Sequence, residues 1–229
     1  MAVESLIPKH GGYRNLKSWQ LADLVYDVTA RFCETYVNPR SRTHDQMVQA
    51  ARSGAQNLLE GSVDSGTSKK IEIKLTGIAK GSLTELQRDY QKFLRHRDLP
   101  EWPPEHPALM RLKALRCTTL EEFRAWVAQE VRRAKDDKTG TNDTDRQGQT
   151  QTKDRTPAAG VRAGPCPSVS SSVWPFSAVL AANGALTLLN LCIYLIGRQI
   201  EAQAAAFETE GGFTERLYRM RKARKTQGG

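Results

Sequence analysis

The sequence predicts an all-α protein built on four long helices packed as a bundle. Two observations carry that expectation. Three successive segments between Leu16 and Arg95 repeat their apolar residues at helical spacing, and a segment near the C-terminus runs uncharged from Ala178 to Gly197. Proline, glycine and hydroxyl residues punctuate the chain between these segments, where helices stop and start.

The first helix is expected from Leu16 to Tyr36. Leu21, Val25, Val28 and Phe32 fall at i, i+4, i+7 and i+11, one face of a helix. Asn38-Pro39 ends it, because a residue before proline is pushed out of the helical region. The second helix is expected to open at Thr43 as N-cap, with Asp45 in its first turn, and to stop at Gly61. Its inward face carries Met47, Ala50, Ala51, Gly54, Ala55 and Leu58, small enough for a neighbouring helix to come close. The third helix opens at Thr67 or Ser68 and reaches Arg95. Its apolar stripe, Leu75, Ala79, Leu83, Leu86, Tyr90 and Phe93, spans an arc of about 80°.

Pro100, Pro103, Pro104 and Pro107 then break the chain, and two shorter amphipathic pieces follow, Ala108 to Cys117 and Leu120 to Lys135. The second opens with Thr119 and Glu122 in capping-box spacing. From Asp136 to Ser172 large apolar side chains nearly vanish, which predicts a disordered linker, since nothing there offsets the entropy of ordering. The fourth helix is expected from Ser177 to Thr209, stopping at Gly211-Gly212, with a basic tail after it. The expected organisation is therefore 12–99 for three bundle helices, 100–135 for a short helical insertion, 136–172 for the linker, 173–211 for the fourth helix and 212–229 for the tail.

The net charge of +9 favours polyanionic partners such as nucleic acid or an anionic membrane surface. The opening MAVESLIPKHGG lacks the apolar core of a secretory signal, so a cytoplasmic location is expected. Cys33, Cys117, Cys166 and Cys192 form no close pair and read as reduced thiols.

The sharpest functional signal lies on the third helix. Lys70, Lys74, Arg88, Lys92 and Arg95 fall within an arc of about 60°, opposite the apolar stripe. A line of cations is what a phosphate backbone needs, because affinity scales with the phosphates neutralised. The alternative is a solvated helix face, and Glu85 and Asp89 at its edge dilute the field. The tail offers Arg216, Arg219, Arg221, Lys222, Arg224 and Lys225 against the single acid Glu215, as a second nucleic-acid contact or as a solubilising end.

Other patterns are weaker. The run Ala178 to Gly197 is long enough to cross a bilayer, which leaves open a membrane-anchored interaction protein, although Asn183, Thr187 and Asn190 would have to be satisfied there. Gly61 and Gly66 have phosphate-loop spacing, but the required lysine is missing and a helix leads in. Asp143, Asp145, Gly148 and Asp154 mimic part of a calcium loop without its final Glu. His10, His44, His96 and His106 show no metal-ligand spacing; Asn57 and Glu60 read as structural. With no nucleophile elbow, paired carboxylates or redox pair, no catalytic residue, metal or cofactor is expected.

ARSGAQNLLEGS (residues 51–62), the GTSKK that follows shortly after and IAKGSLTEL (residues 78–86) resemble the second and third helices of a four-helix-bundle family. That family includes proteins encoded in intervening sequences of bacterial large-subunit ribosomal RNA and the accessory variability determinants of diversity-generating retroelements. GYRNLKSWQLADLVYD (residues 12–27) is similar to the family's first helix, and GGFTERLYRMR (residues 211–221) to a C-terminal extension of its suffix-type branch. The resemblance covers about residues 6–99 and 176–225. It implies an antiparallel up-down bundle with no assigned activity. In the retroelement branch it implies a basic homo-oligomer, a pentamer, that binds nucleic acid and a reverse transcriptase. The insertion before the fourth helix departs from the compact family pattern. The expected function is thus a non-catalytic nucleic-acid-binding or scaffold bundle, an accessory factor of a mobile element.

Overall fold

Side-chain oxygens and one imidazole cap several of the helices at their N-termini. In the computed structural model, which describes residues 11–140 and 174–227, a short 3-10 turn at Tyr13–Asn15 leads into α1, Lys17–Tyr36. α2 (Arg42–Asp64) starts two positions earlier than expected, because Ser41 and not Thr43 is its cap: Ser41 Oγ accepts from His44 N at 3.2 Å. Ser68 caps α3 (Lys69–Arg95) by accepting from Ile71 N at 3.3 Å. His106 Nδ1 accepts from Ala108 N ahead of α4 (Pro107–Leu115), with Pro107 preset at its first position. Thr119 and Glu122 form the expected capping box of α5 (Leu120–Gly140): Glu122 Oε2 accepts from Thr118 N at 2.7 Å and Thr119 N at 3.3 Å, and Thr119 Oγ1 accepts from Glu122 N at 3.3 Å. α6 is Phe176–Glu210 and α7 is Phe213–Gln227. No strand occurs among the described residues, so the chain is all-α there.

Three further boundaries depart from expectation. Gly61 does not stop α2 but lies buried inside it, and a Cβ there would stand 3.3 Å from Glu72 O and Leu75 Cβ. It is a close-approach glycine, which sequence spacing cannot tell from a helix stop. α5 runs on to Gly140, through the first residues of the expected linker; the remainder, with Cys166 and the calcium-like pattern, lies outside the described residues. The stretch after Gly211-Gly212 is helical and not a bare tail. Gly211 turns it with φ 72°, and Glu215 Oε2 accepts from Gly212 N at 2.9 Å.

α1 packs on α2 and α6, and α3 packs on the same two helices. Residue pairs fix the directions. Ser18 donates to Gln199 and Tyr36 to Ser177, so α1 and α6 run opposite ways. Gln203 donates to Glu72 and Gln87 to Asn190, so α3 and α6 also do. The Ser53–Ser82 hydroxyl pair and Gly61 against Leu75 show the same for α2 and α3. Across the middle, the Phe32 ring lies 4.8 Å from those of both Tyr90 and Phe93, and Tyr90 Oη donates to Thr29 Oγ1 at 3.1 Å. The expected faces are where they should be: Val25, Val28, Phe32, Met47, Ala51, Leu58, Leu83, Leu86 and Tyr90 are all buried.

α4 and α5 cover the remaining side of α6, and α5 also touches α1. Gly184 lets them in, since a Cβ there would be 2.7 Å from Trp126 and 2.9 Å from Phe123. Asn183, which a lipid-facing helix would have to satisfy, is buried with both oxygen and nitrogen of its amide hydrogen-bonded. Its Oδ1 accepts from Trp102 N at 2.7 Å, and its Nδ2 donates to Pro100 O and Val179 O at 3.0 and 2.9 Å. The α4–α5 hairpin is tied by Trp126 Nε1 donating to Ala108 O and by the buried Glu130, which accepts from Arg111 and Arg133. Burial pushes the Cys33 and Cys192 thiols up to about 12, which leaves them protonated and inert.

Two predictions follow from packing. A Cβ at Gly54 would lie 2.5 Å from Leu83 Cδ2, so Gly54→Leu should cost about 1–3 kcal/mol in a denaturant titration. Gly81→Ala in α3, where a Cβ meets nothing within 4 Å, should instead stabilise by up to about 1 kcal/mol. Equal midpoints for Gly54→Leu and wild type would place α2 the wrong way round.

A third concerns pH. His106 caps α4 through an unprotonated Nδ1, and burial first, then Arg111, hold its pKa below 6.5, with Glu130 opposing. The unfolded chain takes up this proton at higher pH than the folded one. That contribution to stability is therefore complete above 6.5 and declines as pH falls through it. His106→Asn keeps a capping acceptor that does not titrate, and should remove this part of the acid sensitivity. Identical pH–stability curves for the two proteins would disprove the link.

Candidate nucleic-acid interface

The rotation of α3 decides what its cations can touch. Ser68 fixes its start, α2 holds one flank through Gly54 and Gly61, and α6 holds the other through Asn190 and Gln203. With Leu83, Leu86 and Tyr90 turned to the core, the opposite face is left to solvent. Lys70, Lys74, Arg88, Lys92 and Arg95 are all exposed there. Among the described residues only Lys92 of the five has an ion-pair partner, Asp89 at 3.3 Å, and a surface pair of this kind is weak.

The five do not make an unbroken line. Lys74 and Arg88 stand fourteen positions apart, about 21 Å along the helix. The positions there that point the same way are Gly77 and Gly81, both exposed. The face therefore carries two basic clusters, Lys70 with Lys74 and Arg88 with Lys92 and Arg95, separated by bare backbone. Beside the second cluster an open groove of about 710 Å³ runs between α2 and α3. Arg42, Arg88 and Lys92 line it together with Asp45, Glu85 and Asp89, so its charge is balanced and the positive field is strongest on the outer surface of α3. The acids at 85 and 89 are legible in the sequence, as is the nearness of His44 to Arg40 and Arg42, a candidate phosphate contact, but the approach of Arg42, exposed on α2, to α3 is purely tertiary.

The C-terminal candidates divide. Arg216 is buried, 8% exposed, and is not available to a phosphate as expected. Arg219 is exposed but donates from Nη2 to Glu210 O at 2.9 Å, capping the carbonyl end of α6. Arg221 and Lys222 are exposed, and the side chains of Arg224 and Lys225 lie outside the described ones. Phe213, Leu217 and Met220 at i, i+4 and i+7 were the available signal that this segment is a helix.

Carboxylates gather elsewhere. Asp23 and Asp27 on α1 are raised in pKa, each by partial burial first and then by a neighbouring acid, Asp27 for the one and Glu121 of α5 for the other. α1 and α3 lie across the core from each other, so these carboxylates stand on the far side of the core from the cations of α3. Comparison of the chain with protein-family models, with curated proteins and with solved structures finds no match.

Proposed function

We propose that the chain is a non-catalytic nucleic-acid-binding protein whose four long helices, α1, α2, α3 and α6, form an antiparallel up-down four-helix bundle. The pairwise directions and the cyclic adjacency α1–α2–α3–α6 support the bundle. The observation that carries the function is the outer face of α3, where five cations are exposed and four have no ion-pair partner among the described residues. Arg221 and Lys222 of α7 add a second contact. Charge without bidentate base-reading geometry gives affinity with weak sequence preference. The further reading, a homo-oligomeric, cytoplasmic accessory factor of a bacterial mobile element with a reverse transcriptase as partner, rests on the resemblance alone, carried by residues 12–27, 51–62, 66–70, 78–86 and 211–221.

The full chain should bind RNA or DNA oligonucleotides at low salt, with the logarithm of affinity falling linearly against the logarithm of salt concentration. Lys74→Glu with Arg88→Glu, one change in each basic cluster, should weaken binding and flatten that slope by about 2 units, while circular dichroism stays unchanged. Absence of salt-sensitive binding to RNA, single-stranded DNA and duplex DNA would end this reading.

α6 meets the length and apolarity of a membrane span. We read it as an internal helix, because α1, α3, α4 and α5 all pack on it. The protein should then stay in the supernatant when lysed cells are spun at high speed; recovery in a carbonate-resistant pellet would restore the membrane-anchored alternative.

A further inference from the structure

The seam between α3 and α6 sets an aromatic ring beside the cations. Gln87 donates to Asn190, and a Cβ at Gly197 would stand 3.5 Å from Lys80 Nζ. Asn190, Tyr194 and Gly197 share one face of α6 at i, i+4 and i+7, and Lys80, Thr84 and Gln87 share one face of α3 in the same way. With both ends of this stretch tied, Tyr194 falls opposite Thr84, midway in the gap that separates the two basic clusters. Lys80 is exposed and has no ion-pair partner among the described residues. Its ammonium therefore supplies a cation at the seam, at the level where the outermost line of α3 has none.

Tyr194 is 63% exposed, and Leu191, one turn before it, is 50% exposed. Among the described residues the Tyr194 ring packs on no other ring and its hydroxyl makes no hydrogen bond. A single exposed apolar side chain is ordinary. What sets this pair apart is its place, level with the stretch between Lys74 and Arg88 and beside Lys80. Gly77 and Gly81 raise no side chain on the α3 side of the ring. A flat ring, an aliphatic neighbour and cations to either side suit an unpaired nucleotide, whose base stacks while its phosphates meet the charges. In a duplex the base faces are already covered by their neighbours in the stack, so the ring would meet only sugar and phosphate.

We propose that Tyr194, with Lys80, makes the α3–α6 surface a site for single-stranded nucleic acid in particular. One strand runs along α3 between the two basic clusters, its phosphates on those cations and on Lys80, and an intervening base stacks on Tyr194 against Leu191. Arg198, next on that side of α6, is paired with Glu201 and marks the edge of the site. This inference rests on the nucleic-acid reading of α3 and narrows it to one class of polymer.

Fluorescence anisotropy of the full chain with labelled oligothymidylate of about 20 nucleotides, against a duplex of the same length, tests this. Wild type should bind the single strand more tightly than the duplex at matched salt. Tyr194→Ala should weaken single-strand binding about tenfold while leaving its salt slope and the duplex affinity unchanged, because stacking releases no counterion. Tyr194→Phe keeps the ring and should bind like wild type. Lys80→Gln should flatten the single-strand slope by about 0.7 of a unit. Salt-sensitive binding that shows no single-strand preference, that ignores Tyr194→Ala or that falls equally on both polymers would overturn the stacking site and leave the basic face standing. A changed particle mass of Tyr194→Ala in light scattering would also overturn it, since the exposed pair would then join copies of the chain. No salt-sensitive binding of wild type to either polymer would remove the basic face, and this site with it.

Discussion

The arrangement of the chain depends on the burial of α6. From Ala178 to Leu189 its side chains are buried on nearly every side, and a helix that is apolar all round can be stable in water only if neighbours surround it. α1 and α3 cover two sides, and the proline-broken segment with α4 and α5 covers the next. The fit is specific. Gly184 makes room for the rings of Phe123 and Trp126, and Asn183 turns the one strongly polar position of that stretch into a clamp on Pro100 and Trp102. The insertion is thereby part of the core, since removing it would expose apolar surface on α6 and strand the Asn183 amide.

A second constraint is the closeness of α2 and α3. Gly54 and Gly61 on α2 meet Leu83, Leu75 and the Glu72 backbone, and Ser53 meets Ser82. Small residues bring the helix axes together and leave little room for alternative registers, because a shift by one turn would oppose glycines to nothing and set larger side chains against backbone. This fixes the rotation of α3, and with it the outward aim of the cations from Lys70 to Arg95. Packing on one side of the helix and charge on the other are one geometric fact.

The charge distribution gives that geometry a direction. Carboxylates at 23, 27 and 121 lie at the α1–α5 seam, across the core from the basic face of α3. On the proposed reading, a polyanion would approach from the side of α3 and not from that of these carboxylates. The mixed groove at Arg42, Glu85 and Asp89 marks one border of the positive region.

Most of the helical architecture was legible in the sequence, because amphipathic spacing and capping are local. The faces of α1, α2 and α3, the capping box at Thr119 and the stop at Gly211 follow from residues within a few positions of one another. The exposure of the five α3 cations was legible for the same reason: they lie opposite the apolar stripe. What tertiary structure alone decided is what depends on a neighbour. Gly61 became a contact and not a stop because α3 crosses there. Arg216 was buried while Arg221 stayed exposed. The apolar run of α6, equally suited by composition to a bilayer or a core, is enclosed from Ala178 to Leu189, while Leu191 and Tyr194 beyond stay exposed. The helices that enclose it do not announce in their own sequences where they will pack, since burial on all sides is a property of the assembled fold and not of any one segment.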